Sequence, residues 1–238
     1  CSVRIKDNPH LESLTGLESL SRVDGISVGW CPLLRDLTGL TGLTRVGSGS
    51  ACPDTPWVSE GADFSRLATI ESLAGLSALS RIDGQLRIVG NPALKRIDGV
   101  SHLAEIRGGL DVEACESLTN LDGLSSLELL GTYLHLEDCA ALENAHALDF
   151  VRWIPKEYSD QYSGFVIASN SRLIALPAIE ISGALDVFSV VNSDRLVVIS
   201  GLTKVTGAQS VSIADNNALA HLELPDSLPE LAELRVTN

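Results

Sequence analysis

The sequence predicts a mainly β protein, a solenoid of about eight to nine coils of 23–24 residues stacked through a parallel sheet on one face. Three observations predict it. The stretch "LRIVGNPALKRIDGVSHLAEIRGG", residues 86–109, is followed directly by "LDVEACESLTNLDGLSSLELLG". Leu86, Ile88, Leu94, Ile97, Val100, Leu103 and Ile106 recur 24 residues later as Leu110, Val112, Leu118, Leu121, Leu124, Leu127 and Leu130. Second, the apolar period changes inside each copy from two to three. Third, hydrophobic residues make up 45% of the 238 but aromatics only 4%, so Leu, Ile, Val and Ala must fill a large core.

The copies follow in order. The first is "VRIKDNPHLESLTGLESLSRVDG" from Val3 and the second "ISVGWCPLLRDLTGLTGLTRVG" from Ile26, with Ile5 and Val28, Leu11 and Leu34, and Val23 and Val46 each 23 apart. A third copy loses its strand and keeps "IESLAGLSALSRIDG", residues 70–84. The fourth and fifth are the pair above. Later copies begin at Leu134, Phe165 and Leu185, and a partial one at Val211. Each opens on a short alternation such as Leu110-Asp111-Val112, the signature of a strand with one buried face. Apolar residues then recur every third position, as in Leu11, Leu14, Leu17, Leu20 and Val23. That step suits short extended or 3₁₀-like pieces bending around a core.

Between strand and three-residue step stands Asn or Cys: Asn8, Cys31, Asn91, Cys115, Cys139, Asn170 and Asn216. A turn leaving a strand buries backbone donors and acceptors, and an Asn amide can satisfy both. Cys is small and apolar enough for the same slot. Metal sites need deliberate ligand clusters, so the column reads as structural. Of the five cysteines, Cys31 with Cys52 is the disulfide pairing considered, because Cys52 lies in a loop that could reach back. Glycines punctuate the coils at Gly16, Gly39, Gly75, Gly99, Gly123 and Gly201, and again at Gly25, Gly47, Gly84, Gly108, Gly131, Gly183 and Gly207. They are expected at corners that need positive φ.

"LRIVGNPAL" resembles the L-x-L-x-x-N core of leucine-rich repeats, and the full coil, best seen in "SLSRIDGQLRIVGNPALKRIDGVSHLAEIRGGLDVEACESL", resembles the receptor L domain family. The resemblance covers residues 3–46, 67–148 and 165–224. It implies a right-handed β-helix-like solenoid over residues 1–238, a single domain whose role is recognition and not catalysis. The chain lacks the cysteine-rich modules and kinase of hormone receptors, which favours the bacterial surface-protein version. The family motif is a core motif, so it carries over no ligand-contacting residue.

Interruptions of so regular a repeat are informative. Inserts are expected at residues 47–66 and 149–164. Of ten aromatic residues, Trp57, Phe64, Phe150, Trp153, Tyr158 and Tyr162 all fall in them. Loops on a rigid scaffold collect binding residues, and aromatics there suit partner recognition. The alternative is that they plug the solenoid. On the outer strand face, Arg4, Ser27, Arg87, Asp111, His135, Val166, Asp186 and Ser212 form one column. Lys6, Gly29, Val89, Glu113, Glu137, Ala168 and Phe188 form the next. Stacking gathers Asp111, Glu113, His135 and Glu137, with Asp138 close by and no obvious basic partner. Such a group could hold a divalent cation or act as acid and base. The blander reading is a solvated charged face. Trp57, Trp153, Tyr158, Tyr162, Asp111, Glu113, His135 and Glu137 are thus the candidate partner-binding residues.

The net charge of −14 repels phosphate backbones and argues against nucleic-acid partners. No apolar run reaches the roughly 18 residues of a membrane span. The chain contains no methionine, as expected of a mature or excised segment, and Cys1 fits either a lipid-bearing first residue or a cut within the solenoid. No G-x-S-x-G, H-E-x-x-H, P-loop or C-x-x-C motif is present. The expectation is therefore a non-catalytic, cofactor-free recognition module, extracellular or in the cell envelope, with a protein or glycan ligand. The other readings are a structural or self-assembling surface protein and a β-helix enzyme acting on polysaccharides.

Overall fold

The computed structural model describes residues 2–47, 61–153, 163–178, 180–181, 183–200, 205–223 and 231–237. The fold is a stack of coils built on parallel strands. Sheet A runs in the order β1 (Val3–Lys6), β3 (Gly25–Gly29), β5 (Gly61–Ser65), β7 (Gln85–Val89), β9 (Leu110–Glu113), β11 (Tyr133–Glu137), β13 (Gly164–Ala168), β15 (Gly183–Val191), β17 (Val205–Ala214) and β19 (Glu233–Thr237). The parallel sheet expected on one face is joined by a second. Sheet B consists of two-residue strands closing the coils: β2 (Arg22–Val23), β4 (Arg45–Val46), β6 (Arg81–Ile82), β8 (Glu105–Ile106), β10 (Leu129–Leu130), β12 (Arg152–Trp153) and β14 (Glu180–Ile181). A third pair, β16 (Val198–Ile199) with β18 (His221–Leu222), lies beyond it.

Register places like residue on like. Ile26, Ala62, Leu86, Leu110, Leu134 and Phe165 form one inward column and Val28, Phe64, Ile88, Val112, Leu136 and Ile167 the next, all buried. The three-residue step supplies the rest: Leu34, Leu37, Leu40, Leu43 and Val46 are all inaccessible to solvent. Fully burying each such aliphatic side chain contributes about 1.5–3 kcal/mol, which is what makes this grid constant from coil to coil. The step is made by i to i+3 hydrogen bonds, such as Leu40 N–H to the Leu37 carbonyl at 2.8 Å and Leu43 N–H to Leu40 at 2.9 Å.

The third coil keeps its strand, contrary to expectation. In "GADFS", residues 61–65, Ala62 pairs Ile26 and Phe64 pairs Val28, and Phe64 is a core residue, not a loop aromatic. A single aliphatic-poor strand after a long insert hides the alternation. The register of the eighth coil also differs. Phe188 and Val190, not Leu185 and Val187, continue the columns of Phe165 and Ile167, and Ser189, not Asp186, faces outward beside Val166. Phe188 points inward and stacks on Phe165 with ring centroids 5.0 Å apart. The extended nine-residue β15, irregular at Gly183/Ala184, gave two possible phases, and Ser193 settles which one the coil adopts by filling the Asn/Cys slot.

That slot works as the amide argument requires. Asn91 accepts from Leu67 N–H at 2.9 Å and donates to the Phe64 carbonyl at 2.9 Å. Asn170 bridges Cys139 N–H and the Leu136 carbonyl, and Asn216 bridges Ser193 N–H and the Val190 carbonyl. The thiols of Cys115 and Cys139 reach the Ile88 and Val112 carbonyls in the same way. Asn8 is the exception: it is exposed and donates to Lys6 of its own coil. Cys31 is a buried free thiol donating to the Gly29 carbonyl, and Cys52, the partner considered for it, lies outside the described residues.

Most of the glycines serve close approach, not positive φ. Gly39, Gly75, Gly99 and Gly123 sit inside the 3₁₀ turns Thr38–Leu40, Ala74–Leu76, Asp98–Val100 and Asp122–Leu124. A Cβ at these positions would land on the carbonyl oxygens of Leu14, Leu37, Leu73 and Ile97 in the coil before. Left-handed corners are instead made by a column at the strand exits. Asp7, Trp30, Arg66, Ala114, Asp138, Ser169, Asn192 and Asp215 have φ of 50–59°, and Gly90 has 68°. Each non-glycine member costs roughly 1–2 kcal/mol. The compensation is continuity: the N–H of each donates to the next coil, as Trp30 to Ser65 and Ala114 to Glu137.

Candidate functional site

Outward residues of sheet A alternate with the core nodes, so stacking arranges them in rows across the coils. From β3 to β13 the central row reads Ser27, Asp63, Arg87, Asp111, His135, Val166. Opposite charges are neighbours along it. Lys6 Nζ and Ser27 Oγ both reach Asp63 Oδ2 at 2.9 Å. Arg87 Nε donates to Asp111 Oδ2 at 3.0 Å. His135 stands between Asp111 Oδ1, 3.2 Å from its Nδ1, and Glu137 Oε2, 2.7 Å from its Nε2. The basic partner missing from the sequence reading is therefore Arg87, one coil away in the same row. From β13 to β17 these rows carry no charge: Val166, Ser189 and Ser212 continue the central row, which reaches Arg235 on β19, and Ala168, Val191 and Ala214 continue the next.

Proton affinities follow from this packing. The Asp111 carboxylate beside His135 raises the imidazole to about 9; burial opposes this and Glu137 reinforces it. His135 is a cation at neutral pH, so it cannot serve as a general base there. Burial pushes Asp111 upward, but hydrogen bonding to His135 and Arg87 outweighs it and holds the carboxyl below its usual range. Asp63 behaves likewise, with burial overcome by Lys6 and Ser27. The Tyr133 hydroxyl, pushed to about 12 by burial and then by the Asp111 charge, remains protonated and donates to Gln85 Oε1 at 2.7 Å. Its ring crosses the backbone of Gly109, where a Cβ would strike it. Asp111, Tyr133, Leu134, His135, Gly164 and Val166 line a hollow of about 360 Å³ between the charged and uncharged halves of the face.

The structure thus brings together four of the sequence-selected residues, Asp111, Glu113, His135 and Glu137, and separates off a fifth. Trp153 is fully buried in β12, donates Nε1–H to the Gly131 carbonyl at 2.6 Å and packs 5.9 Å from the Phe165 ring. It belongs to the core, which its apolar area and satisfied N–H both favour. Val151 and Ser163 are buried too, so the described ends of the expected insert 149–164 belong to the coil, and residues 154–162 lie outside the described residues. Among the described residues of that stretch Phe150 is the exposed aromatic, 82% accessible and in the left-handed region with φ 68°. Trp57, Tyr158 and Tyr162 lie outside the described residues. Asp63, Gln85 and Tyr133 went unselected, Asp63 because its strand was unrecognised and the other two because each precedes the alternating core of its strand.

Among the described residues, no group of three or more His, Cys, Asp or Glu side chains is placed to hold a metal ion. No described helix is long and apolar enough to cross a membrane. Comparison with models of protein families, with curated proteins and with solved structures finds no match to this chain. The architecture is a β-solenoid, and the receptor L domain resemblance rests on the coil grammar alone.

Proposed function

We propose that this chain is a non-catalytic recognition module of a cell-surface or envelope protein, of the receptor L domain kind, and that it binds a protein or glycan partner through the outer face of sheet A. One observation carries the reading: a register-locked row of planar charged groups, Asp63, Arg87, Asp111 and His135, borders a hollow and then the uncharged positions Val166, Ser189 and Ser212. Groups fixed by one another present hydrogen-bonding edges to a partner with little ordering cost. A catalytic reading is less well supported, because Asp111 is committed to Arg87 and His135 is held as a cation. The test is an array of glycans and peptides probed with the purified protein and with two folded face variants, Asp63→Asn and Val166→Arg. Ligands retained by both variants would remove the sheet face from the proposal.

A structural or self-assembling role is the second reading. Concentration-dependent assembly by sedimentation, without any array ligand, would select it.

A further inference from the structure

The left-handed column at the strand exits favours short polar residues. Asp7, Asp138, Ser169, Asn192 and Asp215 are typical members. Such side chains tolerate the angle because they bond locally, whereas bulky ones do not. Two members break the pattern, and they are neighbours in the stack: Trp30 and Arg66, both at φ 55°. Trp30 N–H donates to the Ser65 carbonyl, which ties the two corners together.

Folding alone does not account for either residue. A singly exposed hydrophobe needs no explanation, but a strained one does. Trp30 is 50% exposed, so burial of the indole offsets only part of the strain. Leu33 is 45% exposed in the turn that follows, which Leu34 N–H closes on the Cys31 carbonyl at 3.0 Å. Arg66 is exposed as well, and its guanidinium lies over the Trp30 ring, 4.4 Å from the centroid. That cation–π contact holds a long side chain in place. On the other side of Arg66 the column has Gly90, where a Cβ would stand only 3.3 Å from Arg66 Cγ, so the glycine leaves room for the stem.

The hydrogen-bonding groups of this corner are all donors. Arg45, Arg81 and Arg87 each meet a carboxylate within 3.0 Å. Arg66 has no ion pair among the described residues, and neither its guanidinium nor the Trp30 indole N–H has a hydrogen-bond partner there. This holds in a chain with 31 acidic residues to 17 basic ones. A planar guanidinium steadied on an aromatic face offers its fork to a carboxylate. With a net charge of −14, the chain repels a doubly charged phosphate more than a single carboxylate. A sugar would stack on the indole, but Arg66 already covers one face of it, and Leu33 calls for aliphatic cover. An acidic side chain beside an apolar one meets both needs. Trp and Arg are also the residues that most often dominate protein–protein binding energy.

We propose that Trp30, Leu33 and Arg66 form a docking point for a partner protein, in which Arg66 takes the carboxylate of an acidic side chain and Trp30 and Leu33 cover an apolar neighbour. The site lies at the rim of sheet A, one residue beyond Gly29 and Ser65, and it stands whether or not the outer face of that sheet binds anything. The test titrates short blocked peptides carrying Glu beside Leu, and matched peptides with Gln for Glu, into the whole chain while following the Trp30 indole N–H resonance. Uronic-acid oligosaccharides are run in parallel. The variants are Arg66→Gln and Trp30→Asn. The expected result is a saturable shift with the Glu peptides and not with the Gln peptides, weakened about tenfold or more by either variant. Trp30→Asn should melt at the wild-type temperature or above it, because asparagine suits the left-handed angle. A marked drop in its melting temperature would overturn the proposal by showing that the indole serves the fold. Uronate binding at Trp30 without peptide binding would overturn the protein-partner assignment in favour of acidic glycans. A shift of the resonance with protein concentration alone would overturn it in favour of a second copy of the chain. Glu peptides bound equally by wild type and both variants, or not bound at all, would remove the docking point and leave the sheet A reading to its own variants, Asp63→Asn and Val166→Arg.

Discussion

His135 Nδ1 lies 3.2 Å from Asp111 Oδ1, joining two coils through residues 24 positions apart. A histidine held at about 9 when folded and near 6.5 when unfolded stabilises fully below pH 6.5. That contribution is lost as pH rises through 9, because the native state then gives up the proton that it bound more tightly. Urea midpoints of wild type and His135→Gln should therefore differ most at pH 6 and converge by pH 10. The expected convergence is about 2 kcal/mol, discounted for the partial exposure of the ring. A constant difference across that range would sink the assignment.

Gly99→Ala should destabilise by about 3 kcal/mol or more, since overpacking against backbone has no side chain to give way. Its Cβ would meet the Leu73 carbonyl. The equivalent position of the turn His146–Leu148 is already Ala147, so Ala147→Gly should change stability by less than about 1 kcal/mol. Chemical denaturation of the two variants decides between close approach and simple chain flexibility as the reason for glycine.

Asn91→Ala strips the partners from Leu67 N–H and the Phe64 carbonyl, and two buried unsatisfied groups should cost about 2–5 kcal/mol. Asn91→Cys should cost less than half as much, because thiols already serve this slot at Cys115 and Cys139. Equal losses in thermal unfolding would show that the slot selects for amide alone.

Glu113→Gln keeps the shape of the side chain and removes one of two adjacent like charges. Its folded state should gain about 0.5 kcal/mol at low salt, and the gain should fade at 0.5 M salt as screening shortens the Debye length to a few ångströms, about 4 Å. A loss of stability would mean that Glu113 has a partner the repulsion argument ignores.

Trp153→Ala should cost about 3–5 kcal/mol, as expected for emptying a buried tryptophan site, and Trp153→Phe less, with the Gly131 carbonyl left unpaired. Because the ring is core, loss of ligand binding in Trp153→Ala would report unfolding. Near-ultraviolet circular dichroism on both variants separates the two.

The inward grid was legible because burial imposes it on every coil: Leu86 and Leu110, or Ile97 and Leu121, are constant since each must cover the next. The strand of the third coil was not, because Ala62 and Phe64 stand alone after a break in the period. In the eighth coil a long apolar run permitted two phases, and only the bonding of Ser193 by Asn216 separates them. The left-handed column escaped notice for a different reason. Its members, from Trp30 to Asp215, share a backbone angle and no chemical character. Register placed Asp111 between Arg87 and His135 alike, but only the side-chain geometry shows that Arg87 Nε closes on Asp111 Oδ2.

Two steps of the stack are long: Ile26 to Ala62 spans 36 residues and Leu134 to Phe165 spans 31, where the others span 23 or 24. Closure entropy grows only with the logarithm of length, so lengthening a step by half costs about 0.4 kcal/mol. That is less than the burial of one methylene, about 0.8 kcal/mol. The joints between coils are thus sites of nearly free growth. A lineage can lengthen the chain there, try new surface, and discard it again, while the ladder of Leu and Ile on either side keeps its register.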